Sequence, residues 1–365
     1  MVKITIDARM INHSGIGTYI KNLLPNLANK YNLILLGPQE ILSKYEWSET
    51  VSIIDCKSKI YSVNEQIEIP LKTPVCDIFI SPHYNIPVLP IKAQKKIVVI
   101  HDVYHLAFSY KLTRIQRYYS RILINHAVKH YDAIVTTSEF SESEIIKYTG
   151  VNKEKITTLH LGFDPVIIDQ NEGEKELIRK KYNLPPKFIY FVGNIKPHKN
   201  LRNLLQAYSI LIGKKATHKL VITGSRKGFI TSDREIDSFL EKSNSLAENV
   251  IFTGYVDQKD LINIYKLADV FVFPSYYEGF GIPPIEAMIA GTPVIASREA
   301  SLPEVCGEAA LYCDAFRPDD IAEKIEMVLT NEDMRNDLVL KGKTNVQRFS
   351  EEKFEKGWQK IIEGK

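Results

Sequence analysis

The chain has 365 residues, 44% of them hydrophobic and 25% charged, and a formal net charge of +3. That length exceeds the roughly 250–300 residues at which single cores stop growing, so two domains are expected. The charge is too small to argue for nucleic acid, and no apolar stretch approaches the roughly 18 residues of a membrane span. The cysteines, Cys56, Cys76, Cys306 and Cys313, form no C-x-x-C pair and read as buried thiols in a reducing, cytoplasmic setting.

In chain order, residues 1–7 read as an opening strand and not as a signal peptide. Short apolar runs follow at 33–36, 78–80, 97–100 and 133–135, alternating with helical patterns. Residues 164–186 are polar and charge-rich, and read as a linker followed by one short helix over 175–182. A second series of runs covers 188–192, 219–223, 250–253, 270–273 and 293–296. Alternation of this kind predicts βαβ units and parallel sheets. The fold class is therefore α/β, with two Rossmann-like domains at about 1–165 and 183–349.

Chemistry-bearing residues fall near the expected strand ends. Gly15 and Gly17 follow the first strand, but Ile20 occupies the third position of a G-x-G-x-x-G fingerprint, so a plain glycine loop and a ligand-facing loop both stand. His83 and the pair His101-Asp102 each follow a strand, either as satisfied polar groups or as hydrogen-bonding partners of a substrate. From Lys92 to His130 eight basic residues meet one acid, Asp102. Arg114, Arg117 and Arg121 recur on one helical face, which suits a solvated helix or an anionic lipid surface. A loop over 193–200 carries Lys199.

The most informative stretch is 270–304. The run 270–273 reads as a buried strand ending at Pro274, followed by a loop with Glu278, Gly279 and Gly281. Pro283 and Pro284 open a helix, Glu286 sits on its first turn and Gly291 closes it. Glycines let a backbone approach a ligand, and a helix N-terminus favours phosphate. A carboxylate on each side of such a cradle suits hydroxyls flanking a diphosphate, which describes a nucleotide sugar.

Pro274-Ser275, Glu278 to Gly281, Pro283, Glu286-Ala287-Met288, Gly291, Pro293 to Ser297 and Leu302-Pro303-Glu304 together resemble the signature of the retaining glycosyltransferases of family 4. Ser14 to Tyr19, Gly224, Gly254-Tyr255-Val256 and the closing Phe349-Ser350 with Trp358 extend the similarity over nearly the whole chain. The resemblance implies the GT-B fold, two domains facing across a cleft, with a terminal helix at about 350–365 returning to the N-terminal, acceptor-side domain. It implies that Glu286 holds the donor ribose, Glu278 holds hydroxyls of the transferred sugar and Lys199 clamps the diphosphate. Gly15, Gly17, Asn194, Gly224, Tyr255, Gly279, Phe280, Gly281 and Ile282 complete the donor site, with His101 beside the reacting sugar and His83 and Asp102 toward the acceptor. Asn194 stands where the family commonly has arginine, so one cation is missing, and Lys196 or His198 is a candidate stand-in.

No D-x-D metal motif lies at a strand end, so no metal or cofactor is expected beyond the nucleotide-sugar co-substrate. The pattern resembles bacterial mannosyltransferases of surface polysaccharide assembly, which implies GDP-mannose, with UDP-sugars as runner-up. The expected acceptor is a saccharide or a lipid-linked saccharide, with peripheral contact to an anionic membrane through the three arginines and no nucleic-acid partner. A nucleotide-sugar epimerase and a non-catalytic nucleotide or polysaccharide binder are the rival readings.

Overall fold

The computed structural model describes residues 1–163, 172–194, 196–224, 239–240 and 243–364. The chain divides into two compact units, Met1–Asp164 with Phe349–Lys365, and Pro165–Arg348. The first eight residues of the expected linker, 164–171, lie outside the described residues.

The first unit holds seven strands, β1 (Lys3–Asp7), β2 (Asn32–Gly37), β3 (Ser52–Asp55), β4 (Cys76–Ser81), β5 (Ala93–Val99), β6 (Ala133–Thr136) and β7 (Ile156–Thr158). They form one sheet in the order β3-β2-β1-β4-β5-β6-β7, and every pairing is parallel. A parallel sheet needs helices on both faces, which is why its inner strands are near-continuously buried. One of the two faces packs Leu36, Phe79, Val98, Ile100 and Ile134 against Leu123, Ile124 and Ala127 of the helix Arg114–His130.

The C-terminal helix Glu351–Glu363 is part of this unit. Trp358 is fully buried, and its indole N–H donates to the Tyr19 hydroxyl at 3.2 Å. The Phe163 N–H donates to the Phe349 carbonyl at 2.8 Å, which ties the returning chain down.

The second unit holds β8 (Phe188–Val192), β9 (Lys219–Thr223), β10 (Val250–Gly254), β11 (Val270–Phe273), β12 (Val294–Ser297) and β13 (Ala310–Cys313). Their order is β10-β9-β8-β11-β12-β13, again all parallel. The helix Glu172–Tyr182 belongs here, because Lys181 and the Tyr182 hydroxyl both reach Asp260, at 2.6 and 2.7 Å. Both sheets thus follow the doubly wound order, and each reverses direction once, between β1 and β4 and between β8 and β11. Ligands of such sheets bind outside the strands' carboxyl ends at that reversal. No helix among the described residues is long and apolar enough to cross a membrane.

Candidate active site

At the reversal of the second sheet, the loop after β8 meets the loop after β11. Asn200 adopts a left-handed conformation (φ 60°), which asparagine tolerates better than most side chains. Its amide donates to the carbonyls of Pro274, at 3.0 Å, and Ala315, at 2.5 Å. The His198 carbonyl accepts the Tyr276 N–H at 2.9 Å. So fastened, the loops bring Lys199 against Glu278, with Nζ 2.7 Å from Oε1 and 2.9 Å from Oε2. The two side chains are only 15% and 11% exposed. Lys199 also lies over the Phe273 ring, 5.0 Å from its centroid.

Glu278 is braced from behind. The Ser275 hydroxyl stands 2.5 Å from Oε1, and the Ser301 hydroxyl lies 2.8 Å from the Phe280 carbonyl and 3.0 Å from that of Glu278. The Ser297 hydroxyl donates to the Ser275 carbonyl. All three serines are fully buried. The expectation of separate partners for Lys199 and Glu278 therefore needs refinement, because they are each other's partner. An ammonium has three N–H donors, and Glu278 takes up at most two of them, which leaves one for a further acceptor.

The helix Ile282–Ala290 starts after Gly281 and stops at Gly291. Pro283 and Pro284 carry no N–H, so within its first four residues only Ile282 and Ile285 offer backbone donors. Glu286 is the helix's fifth residue, one turn deeper than the expected first turn. Its carboxyl group is partly buried beside Tyr265, whose hydroxyl donates to Oε2 at 3.0 Å. Burial raises its pKa to about 7, against the opposing pull of that hydrogen bond. Tyr265 packs edge-on to Tyr190 (5.1 Å, 81°), and the Tyr190 hydroxyl donates to Thr223 at 2.9 Å.

Gly224, at the end of β9, is a glycine for steric reasons, since a Cβ there would stand 2.2 Å from the Gly193 carbonyl oxygen. Gly279 and Phe280, in the loop, are buried, and Ile282 is partly exposed. The Asn194 carbonyl accepts the Lys196 N–H at 2.8 Å, and Lys196 is exposed. Tyr255 follows β10 and is 82% exposed.

The remaining sequence candidates lie in the first unit. Gly15 is exposed, and space is open around the position of a Cβ. Gly17 is different. Its N–H donates to the His13 carbonyl at 2.7 Å, and a Cβ would stand 2.3 Å from the Ile11 oxygen, so packing accounts for it. His101 Nε2 donates to the Pro82 carbonyl at 2.9 Å, joining the loops after β4 and β5. Burial lowers its pKa, so the ring is neutral near pH 7 with its lone pair on Nδ1. The Tyr19 ring meets it edge-on at 4.9 Å, which links His101 through the Tyr19 hydroxyl to Trp358.

His83 takes the same tautomer as His101. Its Nδ1 accepts the Asn85 N–H at 3.1 Å, and burial holds it well below the usual histidine range, so Nε2 carries the proton. Asp102 accepts the Tyr104 N–H at 2.8 Å, which orders the turn after β5.

Among the described residues no group of three or more His, Cys, Asp or Glu side chains is arranged to hold a metal ion. Sequence reasoning missed the supporting residues Asn200, Ser275, Ser301 and Tyr265. Asn200 and Ser275 sit inside the motif-like stretches that carried Lys199 and Glu278. Tyr265 lies on a helix with no signal of its own.

Residues 174–345 match the family described as "Glycosyl transferases group 1", and residues 76–166 match "Glycosyltransferase Family 4". The chain is 30% identical over 264 residues to O-antigen chain mannosyltransferase B of Escherichia coli, covering 72% of this chain and 68% of that protein. It is 30% identical to the O-antigen chain mannosyltransferase RfbU of Salmonella typhimurium, over 65% and 60% of the two chains. A match of 31% to the serotype-specific mannosyltransferase WbdA of Escherichia coli spans 60% of this chain but only 27% of that longer protein. Among solved structures, sucrose-phosphate synthase from Thermosynechococcus elongatus superposes with a TM-score of 0.81 at 18% identity, covering 100% of this chain and 99% of that one. Anabaena HepE in complex with UDP-glucose gives 0.83 at 14%, with full coverage of both chains. The chain is a glycosyltransferase of the GT-B fold and belongs to the group 1, family 4 glycosyltransferases.

Proposed function

We propose that the chain is a retaining mannosyltransferase that moves mannose from GDP-mannose to a hydroxyl of a saccharide or lipid-linked saccharide in surface polysaccharide synthesis. The Lys199–Glu278 pair at the sheet reversal carries this reading, because it sets a cation for a diphosphate beside a carboxylate for sugar hydroxyls. Glu286, one helical turn deeper, holds the ribose. The bond between sugar C1 and the diphosphate oxygen breaks, and its electron pair leaves with the diphosphate. The acceptor oxygen bonds to C1 from the same face, and its proton passes to a leaving phosphate oxygen. The remaining N–H of Lys199 and the backbone donors of Ile282 and Ile285 stabilise the growing negative charge. His101, neutral and held by Nε2, offers Nδ1 to a hydroxyl of the transferred sugar, while Nε2 of His83 donates toward the acceptor. Mannose as the sugar is supported by the names of the bacterial relatives, and UDP-sugars are the alternative donors.

The acceptor is reached at a membrane surface. The helix Arg114–His130 contains no acid, and Arg114, Arg117 and Arg121 are exposed beside Ile115 and Tyr118, themselves 82% and 71% exposed. Arginine with exposed apolar side chains suits an anionic lipid interface.

One assay tests the function. The protein is incubated with labelled GDP-mannose and with UDP-sugars, with and without a lipid-linked saccharide, and products are separated. Extension of the acceptor with an α-linkage supports the proposal. An isomerised donor identifies an epimerase, and binding without turnover identifies a non-catalytic binder.

A further inference from the structure

The carboxyl ends of β1, β2 and β3 surround a groove of about 1010 Å³ that lies wholly in the first unit. Its lining includes Arg9, His13, Gln39, Lys57, Lys59 and Tyr61. None of the donor-side residues of the second unit lines it. The volume stands at the top of the roughly 300–1,000 Å³ range of small-molecule sites.

The floor is a buried polar network. Arg9 grips Asp7 through Nε and Nη2, at 2.9 and 2.7 Å, and reaches Glu65 through Nη1 at 2.9 Å. Glu65 also accepts from the Asn85 amide, at 2.9 and 3.0 Å, and from the Tyr119 hydroxyl at 3.2 Å. Two carboxylates against one guanidinium make a formally net-negative cluster, and Asp7, Arg9 and Glu65 are all under 9% exposed. Such a cluster stabilises a fold poorly, because desolvating the charges offsets most of their attraction. Of the three only Arg9 lines the groove, where the network holds its guanidinium in place and its two remaining N–H groups can donate to the hydroxyls of a ligand. The rim carries both signs, with Lys57 Nζ 3.3 Å from Asp55.

The wall is Tyr61. Its ring is half-exposed and meets His83 and Tyr119 edge-on, at 6.1 and 6.2 Å. Its φ is 64°, a conformation that a bulky side chain rarely adopts and that persists where the surroundings hold it. The ring is thus presented to the groove at a conformational cost, and an aromatic face beside hydroxyl-binding groups is what the apolar face of a pyranose stacks on.

We infer that this groove is a saccharide subsite holding non-reacting sugar units of an extended acceptor, so that the protein favours chain elongation over transfer to a single sugar. The inference rests on the glycosyl-transfer reading and names its acceptor class.

Tyr61→Gly is the informative variant, because glycine takes φ 64° without strain and the fold is retained without the ring. Tyr61→Phe keeps the ring. Mannose, α-mannobiose and α-mannotriose are titrated in the absence of donor by ligand-observed NMR, and each is then used as acceptor with GDP-mannose. Expected is binding of mannotriose to wild type and Tyr61→Phe and its loss in Tyr61→Gly. The wild-type kcat/KM should favour the trisaccharide over mannose by about tenfold or more, the equivalent of about 1.4 kcal/mol, and this ratio should collapse in Tyr61→Gly while nucleotide affinity stays unchanged.

The inference is overturned if mannotriose binds no better than mannose, if discrimination survives Tyr61→Gly, or if inorganic phosphate displaces the saccharide. Nucleotide-sugar binding is measured separately. Ring-dependent saccharide binding without it would support the groove and overturn the transfer reading.

Discussion

Glu286 offers the sharpest test of the donor site, because its burial makes a functional and a thermodynamic prediction at once. Its pKa of about 7 in the folded protein lies above the ordinary glutamate value of 4.5. Because the folded value is raised, the associated stability is fully present below the unfolded pKa and is lost as pH rises through about 7. A difference of about 2.5 units corresponds to up to about 3 kcal/mol, so Glu286→Gln should raise the melting temperature of the free protein at pH 8 and hardly change it at pH 4.5. Donor binding should respond in the opposite sense. If the ionised carboxylate receives the ribose hydroxyls, affinity improves as pH rises, by about tenfold between pH 6 and pH 8 for a single titration near 7. The same substitution should weaken binding at pH 8 by about 1–3 kcal/mol and flatten the profile. Calorimetric titration with an intact nucleotide sugar is the right assay, because its diphosphate diester does not itself titrate in this window. A 2′,3′-dideoxy analogue is the control and should show no slope. Equal slopes for the two ligands, or a flat profile for the natural one, would refute the assignment of Glu286 to the ribose.

The other expectations follow from named contacts. Lys199→Ala should reduce turnover far more than donor affinity, because the diphosphate gains charge as it leaves; single-turnover and binding measurements separate the two. Asn194→Arg should be tolerated or should tighten donor binding, and abolished binding on titration would mean that the loop carries its ligand elsewhere. Replacing Arg114, Arg117 and Arg121 with Gln should lower co-sedimentation with anionic vesicles by about two orders of magnitude, at roughly 1 kcal/mol per charge, while donor hydrolysis without acceptor stays level; wild-type protein that ignores such vesicles at low salt would remove the membrane contact. Trp358→Phe should cost about 1–2 kcal/mol of stability by stranding the buried Tyr19 hydroxyl, and should lower turnover through His101 without changing nucleotide affinity.

How much of this could be read from the chain depended on the kind of signal. The inner strands were legible because they are buried on both faces and written as unbroken apolar runs, such as 270–273. β3, β7 and β13 were not. They are three or four residues long and lie at sheet edges, where half-exposed positions admit Ser52, Asp55, Thr157 and Thr158. The loop and helix start after Glu278 were legible from their glycines and prolines, and so was the helix stop at Gly291. The pairing of Lys199 with Glu278 was not, since 79 residues separate them and only the reversal of strand order makes them neighbours. For Gly17 the sequence left a plain glycine loop and a ligand-facing loop both open, and only the structure shows that its own turn needs the glycine. Tyr61 carried no signal, because its backbone conformation comes from the structure around it.

The closed Lys199–Glu278 ion pair has a physical consequence for the proposed donor site. An unpaired ammonium this poorly exposed would be costly to desolvate, and an unpaired carboxylate equally so. Pairing lets the fold hold both at the sheet reversal without a ligand present. On the proposed reading the pair also sets the order of electrostatic events during transfer. In the ground state the diphosphate would share Lys199 with Glu278 and gain modestly from it. As the C1–oxygen bond lengthens, charge accumulates on the leaving oxygens, while the transferred sugar becomes electron-poor beside the carboxylate. Lys199 is then drawn toward the phosphate and Glu278 toward the sugar, so each partner interacts more strongly with the transition state than with the substrate. That is differential binding, the kind that raises turnover. Ser275 and Ser301 matter for the same reason. They fix Glu278 and its loop from behind, so the carboxylate need not reorganise when Lys199 shifts toward the leaving group.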